Sequence, residues 1–142
     1  MFIGKGGDTE NLKDLVKKES LDDKVIFIET VPHKEIPKYI SSFNFGLCHL
    51  PDVFVFRSSF PLKILEYLAS EIPVLASDMP ANNEISKKLK FVYLYKNSPK
   101  NFIKTFKDAC EKVKMQKSLK QNLYAYDWKS IKNKYYEIYS KS

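Results

Sequence analysis

Pro61-Leu-Lys-Ile-Leu-Glu-Tyr-Leu-Ala-Ser-Glu-Ile-Pro-Val-Leu-Ala-Ser77 is the stretch whose reading decides the fold. Its first ten residues are apolar around most of a helical circumference, and a proline suits a helix's first turn. A helix is therefore expected over residues 61–70. Its polar residues Lys63, Glu66 and Ser70 are spaced by three and four, which gathers them into one narrow stripe. Residues 73–77 follow as a short run without polar alternation, the pattern of a strand covered on both faces. A nearly buried helix leading into such a strand is one unit of a parallel α/β layer structure.

The flanking segments repeat the theme. Downstream, residues 81–89 read as a helix and residues 91–95 as a strand. A further helix carries Phe102, Ile103, Phe106, Cys110 and Val113 at helical spacing. A final helix from about Trp128 presents Ile131, Tyr135, Ile138 and Tyr139 on one side. Upstream, residues 1–4 look like the end of a strand. Asp8 or Thr9 can cap a helix with Leu12, Leu15 and Val16 on its apolar face. Residues 24–28 form a β-branched strand, residues 35–42 a short helix whose Pro37 fits only the first turn, and residues 45–50 another strand. An irregular loop spans 51–59. The whole predicts an α/β, doubly wound, Rossmann-like parallel sheet of about five strands, with helices on both faces and C-terminal helices beyond. In such sheets ligands bind at the carboxyl ends of the strands. This nominates the loop after Gly4, the segment after Ile28 and the loop leading to Pro61.

Composition narrows the function classes. The chain has 142 residues, enough for one domain, and 44% hydrophobic content rules out a disordered chain. No apolar run approaches the ~20 residues of a membrane span. Cys48 and Cys110 stand at no metal-ligand spacing and read as free thiols of a reducing cytoplasm. With only two histidines, a multi-histidine metal site is not expected. Charge is uneven: residues 1–84 hold 9 Lys and Arg against 13 acids, whereas residues 85–142 hold 15 Lys against 4. That basic half reads as the solvated face of helices, with peripheral contact to an anionic membrane as the main alternative. Nucleic acid is not expected as a partner. A signalling receiver domain would want an acidic pair after its first strand, and none is there.

Several side chains could carry chemistry. A carboxylate on the polar stripe, Glu66, can accept hydrogen bonds from both hydroxyls of a ribose; the bland reading is an exposed Lys63–Glu66 pair. Gly6 and Gly7 suit a tight turn with positive φ or a close approach to ligand, the turn being preferred. His49 ends a strand at the ligand edge, where a packed, hydrogen-bonded core histidine is the ordinary reading. Arg57 reads as a solvated loop charge, and Glu29 stays undecided.

The segment from Ser58 to Asp78 resembles the signature of group 1 glycosyltransferases of the GT-B fold: an acidic residue, seven others, a glutamate, then A-x-G-x-P-V-V-A-S. Gly4-Lys-Gly-Gly and the run from Lys24 to Pro32 are similar to the family's G-x-G and V-x-F-x-G-x-V-P. Pro80-Ala-Asn-Asn-Glu-Ile resembles its G-G-x-x-E-I, and Tyr126-Asp-Trp its closing helix. The set covers nearly the whole chain in order. The resemblance implies a retaining, metal-free and cofactor-free transfer from a nucleotide sugar to a glycan or lipid-linked acceptor. Residues 1–142 would be the donor-binding C-terminal domain, cut at its N-terminus and inactive alone, cytoplasmic and open to peripheral membrane contact.

By position, Glu66 would hold the ribose, and the amides near Ser59, Phe60, Pro61 and Leu62 would face the diphosphate. Val31 and Pro32 would border the base, with Gly6 and His49 as further contacts. The departures are specific. Ser58 stands at the family's first acidic position, so the carboxylate that orients the transferred sugar is absent. In a P-x-K-x-x-E-Y variant that fits better, Lys63 becomes a phosphate or sugar contact. Ile72 or Glu71 replaces the glycine before Pro73, and Asn82-Asn83 the double glycine. The family's Arg/Lys pair for the diphosphate falls before Gly4. The alternative is a non-catalytic nucleotide-binding or regulatory module of the same fold.

Overall fold

The structure, a computed structural model, describes residues 1–57 and 59–139, with side chains described through residue 133. It is α/β with parallel strand pairing throughout. The expected five strands are present, but they form two sheets instead of one. Among the described residues β1 (Phe2–Ile3) pairs with β2 (Phe27–Ile28), while β4 (Val74–Ser77) lies between β3 (Gly46–Cys48) and β5 (Val92–Tyr95). The chain divides accordingly into one compact unit, Met1–Tyr39, and a second from Ile40 onward.

In the first unit, Phe2 and Phe27 stack across the strand pair with ring centroids 5.4 Å apart. Helix α1 (Thr9–Lys18) follows β1. Asp8 is its N-cap but makes no capping bond; Thr9 Oγ1 instead accepts from the Gly6 amide at 2.9 Å. The expected apolar face of α1 is only weakly covered, with Leu12 38% and Leu15 51% exposed. A turn of 3-10 helix (His33–Glu35) then leads into α2 (Ile36–Ile40) at the junction of the units, with Pro37 in its first turn as expected.

The second unit is doubly wound. Helix α4 (Leu62–Ala69) contributes Ile64 and Leu68, and α5 (Pro80–Lys88) contributes Ile85, to a cluster with Cys48, Val74 and Ala76 on one face. The alternate residue Leu75 and Tyr95 meet Ala109 and Phe102 of α6 (Pro99–Lys114) on the other. All four β4 residues are buried, which explains a strand without polar alternation. A short helix, α3 (Phe54–Arg57), interrupts the expected loop, and a 3-10 turn (Tyr124–Tyr126) precedes α7 (Trp128–Tyr139). Ile131 is half-buried; the side chains of Tyr135, Ile138 and Tyr139 lie outside the described residues.

Two backbone details account for sequence choices. The Glu71 amide bonds the Leu68 carbonyl at 3.1 Å and the Ile72 amide that of Tyr67 at 2.9 Å, a Schellman close to α4. Glu71 takes φ +59 there, so it, not Ile72, occupies the position where the resemblance has glycine. Gly46 is required by packing. A Cβ there would overlap the Tyr67 ring of α4 far inside van der Waals distance. Gly46→Ala is therefore expected to destabilise the protein by about 1–3 kcal/mol through overpacking, read as a lowered melting temperature. An unchanged melt would mean that Tyr67 moves aside freely.

Candidate functional site

In a parallel αβ unit the helix that precedes a strand starts at the sheet's carboxyl edge, so α4 and α5 both open there. Pro61 is the N-cap of α4 rather than its first helical residue, and its side chain makes no capping bond. The Leu62 amide bonds the Phe60 carbonyl at 3.0 Å. Because proline has no N–H, Ser59 and Phe60 remain the candidate amides among the four residues expected to face a diphosphate.

An open cleft of about 390 Å³ lies between the start of α4 and one face of α5. Ser59, Phe60 and Pro61 form one wall; Ala81, Glu84, Ile85 and Lys88 form the other, at helical spacing. Tyr126 closes a corner, its ring centroid 6.0 Å from that of Phe60. Arg57 also reaches the cleft, its Nε donating to Asp52 at 2.8 Å, and Glu84 pairs with Lys87 at 2.6 Å. The two asparagines that stand for the family's glycines tie the first turn of α5 to the end of β4. Buried Asn82 donates to the Ser77 carbonyl at 2.9 Å, and Asn83 donates to the Asp78 carboxylate.

A smaller pocket of about 210 Å³ joins Lys63 to Cys48, Leu50, Ser59, Phe60, Pro61 and Leu62. Burial pushes the Cys48 thiol up, against a smaller opposing effect of Lys63, so it is a neutral thiol at neutral pH. The polar stripe of α4 runs outward from this pocket: Lys63 is exposed, and Glu66 and Ser70 are half-buried. Glu66 lies one turn into the helix and lines neither cleft. Ser70 Oγ donates to the Glu66 carbonyl at 3.1 Å. Ser58 lies outside the described residues.

His49 is not a packed core residue. It is exposed at the end of β3, and its Nδ1 lies 2.8 Å from the hydroxyl of Tyr95. Ser77, the small residue between them on β4, makes that reach across the sheet feasible; its Oγ accepts from the Leu50 amide at 3.0 Å. His49 does not line the larger cleft.

In the first unit, Gly6 borders a cleft of about 270 Å³ with Ile3, Lys5 and Thr9. The positive φ expected at Gly6 or Gly7 belongs instead to Gly4, at +114. A Cβ at any of the three would meet nothing within 4 Å. Val31 is half-buried, and Pro32 is exposed at the cap of the 3-10 turn, its carbonyl accepting from the Glu35 amide at 2.8 Å. Sequence reading missed Tyr126 and the cleft-facing side of α5. The spacing of Ala81, Glu84, Ile85 and Lys88 is the signal that could have found the second of these.

The family model described as glycosyl transferases group 1 matches residues 1–126. A Bacillus subtilis (strain 168) protein provisionally named teichuronic acid biosynthesis glycosyltransferase TuaH is 30% identical over 113 residues, 79% of this chain and 27% of the relative. The chain thus spans about a quarter of the length of that curated relative. No solved structure matches it. With a family match that runs from β1 through the corner residue of the cleft, the chain belongs to the group 1 glycosyltransferases.

Proposed function

We propose that this chain is the donor-binding half of a retaining glycosyltransferase, which moves a sugar from a nucleotide-diphosphate sugar to a glycan or lipid-linked acceptor. The observation that carries the reading is α4. Its start borders two clefts at the sheet's carboxyl edge, and its stripe sets one carboxylate, Glu66, a turn further on. The helix start favours the negative diphosphate. Glu66 offers two oxygens to the two ribose hydroxyls, and Lys63 a cation to a phosphate or sugar oxygen. On the first unit the proposal assigns Val31 and Pro32 to the base and Gly6 to a close backbone approach.

The proposal makes residues 1–142 the C-terminal donor-binding domain and assigns the acceptor to a domain outside these residues. The name of the Bacillus subtilis relative concerns teichuronic acid biosynthesis; for this chain we carry over only polysaccharide assembly.

One residue favours a second reading: Ser58, in place of the family's carboxylate, suits a non-catalytic nucleotide-binding module. A transfer assay separates the two. Full-length protein is expected to release nucleoside diphosphate from one nucleotide sugar in a panel when acceptor is present. The anomeric configuration of the product, read by proton NMR, should be that of the donor. Binding without release selects the non-catalytic module, and an inverted product removes the retaining mechanism.

The proposal places the enzyme in the cytoplasm, peripheral to an anionic membrane. No helix among the described residues is long and apolar enough to cross one. Contact would come from the lysine-rich half and from exposed apolar residues such as Phe54 and Val55, 86% and 70% exposed. Retention on anionic liposomes should fall as salt shortens the Debye length from about 10 Å at 0.1 M to about 3 Å at 1 M. Equal retention on neutral liposomes removes this contact.

A further inference from the structure

His49, one of the expected donor contacts, forms a pair with Tyr95, to which the proposed contacts give no role. Both stand at the carboxyl edge of the second unit's sheet, His49 just after β3 and Tyr95 at the end of β5, with Ser77 of β4 between them. Tyr95 is rigidly held: it is 5% exposed, and Phe102 packs edge-on against its ring at 5.0 Å. Its ring and the His49 imidazole are nearly parallel, 11° apart, with 2.8 Å between Nδ1 and the hydroxyl oxygen.

The direction of that hydrogen bond follows from counting partners. A buried phenol must place its proton on an acceptor or bear the cost of leaving it unpaired. Among the described residues, the Tyr95 hydroxyl has one hydrogen-bond partner, His49 Nδ1. The phenol therefore donates and Nδ1 accepts, which leaves the proton of the neutral imidazole on Nε2. Burial also holds the Tyr95 phenol above its ordinary range, so it keeps its proton at neutral pH. The exposed edge of the imidazole thus carries a fixed N–H at the strand ends, where α5 and α6 also begin.

We propose that Tyr95 is a positioning residue that fixes His49 as an Nε2–H donor, and that this N–H binds a phosphate oxygen of the nucleotide donor. The inference rests on the reading of the ligand as a nucleotide-diphosphate sugar. A fixed neutral donor suits an anionic oxygen because no tautomer has to be selected at binding.

The test uses full-length protein labelled with 15N-histidine, the His49→Ala variant identifying the His49 signals. Long-range proton–nitrogen spectra should show the Nε2–H tautomer for His49 in the wild type and a mixed population in Tyr95→Phe. His49→Ala should weaken binding of the matching nucleoside diphosphate by about 10-fold, as the loss of one hydrogen bond to a charged group implies, and leave the nucleoside unaffected. His49→Gln, which keeps an N–H near the Nε2 position, should recover most of that loss. An Nδ1–H tautomer in the wild type overturns the proposal. So does a His49→Ala protein that binds the diphosphate as tightly as wild type, or one that loses nucleoside and diphosphate equally; the donor reading survives either result. A wild type that binds no nucleoside diphosphate overturns both. If Tyr95→Phe fails to fold, the exposed His49→Ala change and the wild-type spectrum still decide.

Discussion

Glu66→Gln is expected to weaken nucleoside diphosphate binding by about 10- to 100-fold. The substitution keeps the side-chain volume but leaves one acceptor and one donor where the carboxylate had two acceptors. One ribose hydrogen bond is weakened or lost, and the other loses its charge assistance. A hydrogen bond to a charged partner contributes about 1.5–3 kcal/mol, and each 1.4 kcal/mol is tenfold in affinity. Because Glu66 is half-buried on the outer stripe of α4 and outside the core cluster, the fold should survive the change. Ser58→Ala should cost much less, since a hydroxyl is a poor replacement for the family's carboxylate. Calorimetric titration of the full-length protein reads both. Wild-type affinity in Glu66→Gln for every nucleotide would make the stripe structural.

The second large effect is the loss of turnover by the isolated chain. Holding two reactants in register supplies about 7–11 kcal/mol of barrier reduction, and closure around them excludes water. On the proposed architecture, residues 1–142 offer the donor contacts and nothing that positions an acceptor. Transfer should therefore fall by at least about 10⁵-fold from the full-length rate, below detection, while weak nucleotide binding persists. A radiolabelled-sugar transfer assay comparing the two proteins checks it. Robust turnover by the isolated chain would show that the two-domain assignment is wrong.

The segment around Pro61 was legible because helix and strand periods are local. The apolar circumference of α4 and the unbroken apolar run of β4 appear as read, within a residue or two at their ends. Strand partnership is not local, so the chain's alternation of elements could not show that β1 and β2 pair in one sheet and β3, β4 and β5 in another. A pattern also says which face of a helix is apolar without saying what covers it; Leu12 and Leu15 match the pattern and remain exposed. Glu71 hid a left-handed position because glycine is its usual occupant.

Around the larger cleft, lining residues adjacent in sequence were legible and distant ones were not. Ser59, Phe60 and Pro61 line one cleft together, whereas Tyr126 arrives there from a segment distant from α4 in sequence. Gln121 makes two hydrogen bonds to the Lys90 backbone, at 3.0 and 3.2 Å, and Leu123 and Tyr126 pack against the α4–α5 core. No spacing rule relates residues 60 and 126. His49 stands at the end of β3 as the sequence reading has it, but its partner Tyr95 depends on strand register, which only the sheet reveals.

Amide hydrogen exchange of the full-length protein, with and without each of a panel of nucleoside diphosphates, tests the central claim most directly. The account predicts that one of them binds saturably and slows exchange across residues 59–66, where the amides before α4 and its first turn meet the ligand. Saturable binding that leaves those residues unchanged, or no binding by any member of the panel, would contradict it.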